Sequence, residues 1–257
     1  MITALVLLAL IVVCALGGRP WFFVLVFVVV LMAMFELLDA LVQKGRRPSI
    51  PLGLAGTLAV LIAAYEERFA YIAVVLAVST YAALVFALRP KRGVTPASDA
   101  AWTIFGLAWI GGGGAGAVSI LVMDGGVALL VASILIVACN DIGGYFVGTR
   151  FGSHKMAPSI SPAKSWEGFA GGIATALAAG LLFASLLDEM TVAEGLAIGV
   201  MAGLLAPVGD LVESQVKREL GIKDSGRLLP GHGGMLDRLD AIIFCCPAIS
   251  LYLHFVA

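Results

Sequence analysis

The chain has 257 residues, of which 61% are hydrophobic and only 13% are charged, and its mean hydropathy is +1.04. This composition lies far from that of soluble domains and indicates a protein with several membrane spans. The formal net charge of −1 says nothing about partners by itself, and we expect no nucleic-acid partner.

Nine apolar runs along the chain are candidates for membrane-spanning helices. A hydrocarbon core about 30 Å thick needs roughly 20 mostly apolar residues in a helix. We predict spans at 2–17, 20–41, 51–65, 69–88, 102–123, 126–148, 167–187, 192–213 and 235–256. The third run is short and could be a tilted or re-entrant segment, so we hold the count to within one. The predicted fold is an all-α integral membrane protein, a polytopic bundle of about nine transmembrane helices.

The composition along the chain predicts one membrane domain over residues 1–257. Residues 1–135 are mainly scaffold spans, 136–240 hold the motifs with chemistry, and 241–257 complete the last span. The first run has no basic residue ahead of its apolar part, so we expect a retained span rather than a cleaved signal peptide. The glycine-rich run at 111–116 lacks the Lys and Ser or Thr of a phosphate loop, and we predict a close helix contact or kink there.

The basic residues are distributed unevenly between the connections. Of the 16 Lys and Arg residues, all but Arg19 and Arg68 lie in or beside the connections after the second, fourth, sixth and eighth spans. Because Lys and Arg favour the cytoplasmic side, we predict a cytosolic N-terminus and a C-terminus outside, in a bacterial inner membrane. The site described below then faces the cytosol.

Ionisable residues inside predicted spans are the first candidates for chemistry, because each costs roughly 2.5 to 3.5 kcal/mol to insert. Asp141 lies in the sixth span, Asp210 in the eighth, and Asp237 and Asp240 in the ninth. All four lie toward the predicted cytosolic ends of their spans. We expect these carboxylates from three helices to converge in depth.

The end of the eighth span presents a polar face. Asp210, Glu213, Ser214 and Lys217 follow the i, i+3, i+4, i+7 spacing of one helix face. Clustered carboxylates beside Lys and Arg suit Mg²⁺ bound together with substrate phosphates. The alternative is that each Asp only pairs with a neighbouring base to neutralise a buried charge.

Two connections carry further candidates for phosphate binding. In the turn at 230–234, Gly233 and Gly234 allow close backbone approach ahead of a helix start, and His232 could donate to a phosphate or transfer a proton. A tight helix connection is the alternative interpretation. Between the sixth and seventh spans, Lys164 lies between the hydroxyls of Ser161 and Ser165.

Glu36 and Asp39 share a face near the cytosolic end of the second span. They could line the same cavity or pair with Lys44 and the basic residues at 46–47. We assign them no role in the site.

The segment 207–240 resembles the signature of the phosphatidate cytidylyltransferases, also called CDP-diacylglycerol synthases. The fixed positions of that signature are Ser214, Lys217, Arg218, Lys223, Asp224, His232, Gly233, Gly234, Asp237, Arg238 and Asp240. A second segment resembles the family's Ser-Pro-x-Lys-Ser/Thr-x-Glu-Gly pattern, with the matching residues Asp141, Ser161, Pro162, Lys164, Ser165, Glu167 and Gly168. Many relatives have Lys or Gly where this chain has Ala163, so that position is not expected to be essential.

The resemblance implies transfer of a cytidylyl group from CTP to phosphatidate, giving CDP-diacylglycerol and pyrophosphate in phospholipid synthesis, with Mg²⁺ and a second, monovalent cation as candidate cofactors. Catalytic roles then fall to Asp141, Asp210, Asp237, Lys217 and Arg238, with Asp141, Asp210 and Asp237 as metal ligands. Phosphate binding falls to Ser161, Lys164, Ser165, Ser214, Arg218, Lys223, His232, Gly233 and Gly234. Membrane lipids are expected neighbours, and helix faces rich in small residues are compatible with a homodimer.

Two other functions remain open from the sequence. A related enzyme could use CTP on another lipid phosphate, such as an ether-lipid or polyprenyl analogue. A cation transporter would also place Asp residues inside spans, although here the charges concentrate at one membrane face.

Overall fold

A computed structural model describes residues 2–88, 96–222, 225–226 and 233–256. Ten helices are present in this part of the chain. They are α1 (Ile2–Leu16), α2 (Arg19–Gln43), α3 (Ile50–Tyr65), α4 (Phe69–Ala87), α5 (Pro96–Gly106), α6 (Gly112–Val122), α7 (Gly126–Phe151), α8 (Trp166–Leu186), α9 (Val192–Leu220) and α10 (Leu236–Phe255). A π-helical turn, Leu107–Gly111, joins α5 to α6 without a break.

The predicted all-α membrane bundle is confirmed. With α5 and α6 counted as one rod, the described residues form nine rods at the places of the nine predicted spans. By length and composition, six of the rods can cross a membrane, namely α2, α4, the α5–α6 rod, α7, α8 and α9. The helices α1 and α3 are shorter, with 15 and 16 residues.

The α5–α6 rod lies at the centre of the bundle and α4 lies at its edge. In the apolar window of the central rod 78% of the residues are buried, whereas in α4 only 11% are. The close contact predicted for the glycine-rich run is present on α6. A Cβ atom added to Gly116 would lie 2.6 Å from the backbone nitrogen of Pro247 in α10, so these two helices meet backbone against backbone.

A short hairpin between α7 and α8 was not predicted. β1 (Lys155–Ala157) pairs antiparallel with β2 (Ser161–Ser165), where the sequence indicated only a polar loop. The Trp166 amide extends the pairing by donating to the His154 carbonyl at 2.9 Å. At the end of β2, the Ser165 hydroxyl accepts from the Gly168 amide and caps α8. The hairpin therefore fixes Lys164 relative to α8.

The connections separate to the two ends of the bundle. At one end, Lys44 after α2 donates to the Gly221 carbonyl after α9 at 3.2 Å. At the other end, Arg19 ahead of α2 donates to the Met123 carbonyl after α6 at 3.2 Å, and Gly125 lies against Glu189. Basic connections that are far apart in the chain therefore meet at one end.

Candidate active site

A cavity of about 360 Å³ lies among α7, α8, α9 and the start of α10, with the hairpin at its edge. Asp141, Asp210, Asp237 and Asp240 all line it, which confirms the predicted convergence of carboxylates from three helices. The cavity is further lined by Lys164, Ser165, glycines of α7 and α8, and the aromatic side chains of Tyr145 and Phe169.

Lys164 connects the hairpin to α9. Its Nζ lies 2.8 Å from Oδ2 of Asp210 and donates to the Pro207 carbonyl at 3.0 Å. The Ser214 hydroxyl donates to the other oxygen of Asp210 at 3.2 Å, one turn further along the same helix. Asp210 is thus oriented by a cation on one side and a hydroxyl on the other.

Lys217 bridges α9 and α10. Its Nζ lies 2.8 Å from Oε2 of Glu213 and 2.8 Å from Oδ1 of Asp237. The Ser225 hydroxyl lies 3.0 Å from Oε1 of Glu213 and 3.0 Å from Oδ1 of Asp237, so its one proton serves either carboxylate. The Gly234 amide donates to Oδ2 of Asp237 at 2.7 Å. Both oxygens of Asp237 therefore already accept hydrogen bonds from the protein.

Three carboxylates are placed closely enough to share a metal ion. One oxygen each from Asp210, Glu213 and Asp240 lies within 4.8 Å of the other two. Glu213 is buried, while Asp210 and Asp240 are half-buried at the cavity. Oxygen ligands from one or two carboxylates, with coordination sites left for water and phosphate, suit Mg²⁺. The donor set in this chain fits such an ion.

The metal ligands chosen from the sequence overlap this group only at Asp210. Asp141 lines the cavity, where its Oδ1 accepts from Asn140 at 3.2 Å, and Asp237 is engaged with Lys217. The sequence signal for Glu213 was its i+3 spacing from Asp210. For Asp240 the signal was the same spacing from Asp237.

The remaining predicted site residues lie in different parts of the structure. The exposed Arg218 donates through Nε to the Ile160 carbonyl at the hairpin turn, and Ser161 lies at the start of β2. Arg238 is exposed on the first turn of α10, and Gly233 has a φ of 77° just before it. Lys223 and His232 lie outside the described residues.

Ser225 is a site residue that the sequence did not single out. It belongs to the signature segment but occupies none of the positions fixed by the resemblance. Its hydroxyl nevertheless lies between the two carboxylates that flank Lys217. No local pattern marks a serine for such a bridge, because the partners come from α9 and α10.

Comparison with known proteins agrees with the motifs. A model of the cytidylyltransferase family matches residues 1–256. The chain is 44% identical over 160 residues to the phosphatidate cytidylyltransferase of Mycobacterium tuberculosis, covering 60% of this chain and 49% of that protein.

Two other proteins of the same description are similar. The phosphatidate cytidylyltransferase of Haemophilus influenzae is 40% identical over 136 residues, covering 51% of this chain and 47% of its own. That of Brucella suis is 45% identical over 130 residues, covering 49% of this chain and 47% of its own. The chain thus spans about half the length of the curated relatives it matches. Since the family model extends over almost every residue, the chain belongs to the cytidylyltransferase family.

Proposed function

We propose that this protein transfers a cytidylyl group from CTP to phosphatidate, forming CDP-diacylglycerol and pyrophosphate. The observation that carries the proposal is the cavity at one end of the bundle, where Asp141, Asp210, Asp237 and Asp240 meet Lys164. Family membership and the names of the similar proteins support the choice of nucleotide and lipid.

The proposed reaction is an in-line displacement at phosphorus. A phosphate oxygen of phosphatidate forms a bond to the α-phosphorus of CTP, the bond from that phosphorus to the bridging α,β oxygen breaks, and pyrophosphate leaves. The enzyme's task is to position two anions and to stabilise charge on the leaving group. No covalent intermediate with the enzyme is needed.

We propose Asp210, Glu213 and Asp240 as the ligands for Mg²⁺, since their oxygens lie within 4.8 Å of one another. When bound, the ion would neutralise phosphate charge and act as a Lewis acid at the reacting phosphoryl group. Metal binding by Asp141 and Asp237, and a second, monovalent cation, stay predictions from the sequence.

Lys164 and Lys217 are the cations that the described residues place at the carboxylates. Each lies 2.8 Å from an acidic oxygen, which fixes the direction of its ammonium group. We propose that Lys164, which lines the cavity, contacts a substrate phosphate and that Lys217 keeps Asp237 and Glu213 in place. Ser165 and Ser214 offer hydroxyls beside them.

The position of the cavity suits substrates from two phases. CTP arrives from water and phosphatidate from the bilayer, so a shared site belongs where helices leave the membrane. The charges gather at this end of the bundle, which argues against a transport path across it. By the distribution of basic residues we propose that this end faces the cytosol of a bacterial inner membrane. A homodimer is proposed on the resemblance alone.

The test is incubation of the purified protein with CTP labelled at the α-phosphate, phosphatidate and Mg²⁺. We expect label in a lipid that co-migrates with CDP-diacylglycerol, and its loss on addition of EDTA. Ether-lipid and polyprenyl phosphates run in parallel identify the preferred lipid. Absence of label in every lipid, together with ion flux in liposomes without CTP, would reject the proposal in favour of transport.

A further inference from the structure

We propose that Glu36 of α2 is a positioning residue for the active site: its carboxylate holds the backbone at Gly226, Gly234 and the start of α10, and so keeps Asp237 in place. The proposal rests on the proposed function, because Asp237 matters to the reaction only if the cavity is the active site. Nothing in the signature segments includes Glu36, which lies 200 residues ahead of Leu236.

The Glu36 carboxylate is buried at the N-terminus of α10. Glu36 is only 3% exposed, and its Oε2 accepts a hydrogen bond from the Leu236 amide at 2.9 Å. The first amides of a helix lack partners within the helix, and a negative charge is favourable at that end. Glu36 therefore anchors the helix that carries Asp237 and Asp240.

Two glycines show how tightly the backbone is packed around this carboxylate. A Cβ atom on Gly226 would lie 2.5 Å from Oε1 of Glu36, and one on Gly234 would lie 2.6 Å from Oε2. A Cβ on Gly234 would also lie 2.8 Å from the Gly226 nitrogen, so the two glycines adjoin. Only glycine at positions 226 and 234 lets the backbone approach the carboxylate so closely.

The backbone that Glu36 supports is the same backbone that orients Asp237. The Gly234 amide donates to Oδ2 of Asp237 at 2.7 Å, and the Ser225 amide donates to the same oxygen at 3.1 Å. Oδ1 of Asp237 in turn lies 2.8 Å from Lys217. If the Glu36 carboxylate moved, the backbone at residues 225–226 and 234–236 would move with it and would shift Asp237 relative to Lys217.

The two acidic residues of α2 have different surroundings. From the sequence, both could line the cavity or pair with Lys44 and the basic residues at 46–47. Lys44 instead donates to Gly221, and Asp39 accepts from Gln43 at 2.7 Å. Within the described residues, no donor reaches Oε1 of Glu36. Asp39 is therefore a matched control on the same helix.

The test compares Glu36→Asp, Glu36→Gln and Asp39→Asn in the full chain. Glu36→Asp keeps the charge but withdraws it from the Leu236 amide, and we expect kcat to fall about 10- to 100-fold. Glu36→Gln keeps an acceptor oxygen at the same reach, and we expect kcat within about tenfold of the wild type, because a neutral hydrogen bond is weaker than a charged one. Asp39→Asn should match the wild type.

Hydrogen exchange of the peptide that contains residues 233–240 gives a readout independent of turnover. We expect about tenfold faster exchange in Glu36→Asp and near-normal exchange in Glu36→Gln. In Gly234→Ala the added methyl group would collide with the Glu36 carboxylate, so this variant should also exchange faster. It tests the same contact if Glu36→Asp does not fold.

The outcomes separate this proposal from the proposed function. Normal kcat, KM for CTP and exchange in both Glu36→Asp and Gly234→Ala would overturn the positioning role. So would loss of activity in Glu36→Gln with near-normal activity in Glu36→Asp and unchanged exchange in both, because Glu36 would then act through its charge. A wild-type protein without any CTP-dependent product would reject the proposed function, and the exchange comparison would still decide the role of Glu36.

Discussion

Asp240 and Asp210 come from different helices and reach the same cavity, and their shared proximity to Glu213 is the strongest sign of an ion site in the described chain. Sequence spacing predicted that the four aspartates would lie at one depth, because each falls near the end of a span. It could not rank them as ligands. The ranking depends on which oxygens from different helices lie close enough to share one ion, and those of Asp210, Glu213 and Asp240 lie within 4.8 Å of one another.

Replacing Asp240 with Asn should lower turnover about 10²- to 10³-fold, since it takes away charge from the ligand set that we propose for Mg²⁺. The fold should persist, because the side chain keeps its shape. The measurement is the initial rate with labelled CTP over a Mg²⁺ titration. Asp188→Asn is the matched control, as Asp188 is exposed in the connection between α8 and α9. An Asp240→Asn variant with normal rate and normal Mg²⁺ dependence would contradict the ligand assignment.

Lys217 is the residue whose loss should cost most stability at the site. Its side chain is 19% exposed and neutralises Glu213, 2% exposed, and Asp237, 12% exposed. Lys217→Gln should destabilise the protein by about 3 kcal/mol, because it leaves buried carboxylates without their cation. Thermal unfolding in detergent measures the effect. The double variant with Asp237→Asn should recover part of the loss, and strictly additive losses would show that the pair is not coupled.

At the scale of elements, the helices could be located from hydropathy alone because a bilayer forces every spanning segment to satisfy its own backbone. The hairpin of β1 and β2 could not. Its strands are 3 and 5 residues long, and Ser161–Ser165 shows no alternation of apolar and polar side chains. The hairpin forms where the ends of α7 and α8 are already held together, so its cause is tertiary.

The contact between α8 and α9 depends on glycine. A Cβ on Gly180 would clash with the Gly195 carbonyl oxygen, so the helices must separate to accept a methyl group. Gly180→Ala should destabilise the protein by about 1 to 3 kcal/mol and lower activity, because α8 and α9 both line the cavity. Gly112→Ala is the control, since nothing lies within 4 Å of an added Cβ there. Equal unfolding temperatures for the two variants would contradict this packing argument.

At the scale of the whole molecule, the two ends of the bundle differ in charge and in chemistry. The connections after α2, α7 and α9 carry Lys and Arg, and the connection after α7 contributes Lys164 to the cavity, while Asp124, Asp188 and Glu189 lie at the other end. The alternation was visible in the sequence, since it needs only the spans and the positions of basic residues. The shape of the cavity was not, because it depends on how helices far apart in the chain pack.

The orientation of the bundle can be measured by cysteine labelling. In a background without the four native cysteines, Ser153→Cys should react with an impermeant maleimide only in inverted vesicles. Asp188→Cys should react only on intact cells. The reverse pattern would place the site outside the cytosol and contradict CTP as the proposed substrate.

The central claim is that the cavity transfers the cytidylyl group, and the position of the label in CTP tests it most directly. The purified protein is given phosphatidate and Mg²⁺ with CTP labelled at either the α- or the γ-phosphate. The account predicts that the α label enters the lipid and the γ label leaves as pyrophosphate. Entry of the γ label into lipid, or of neither label, would contradict it.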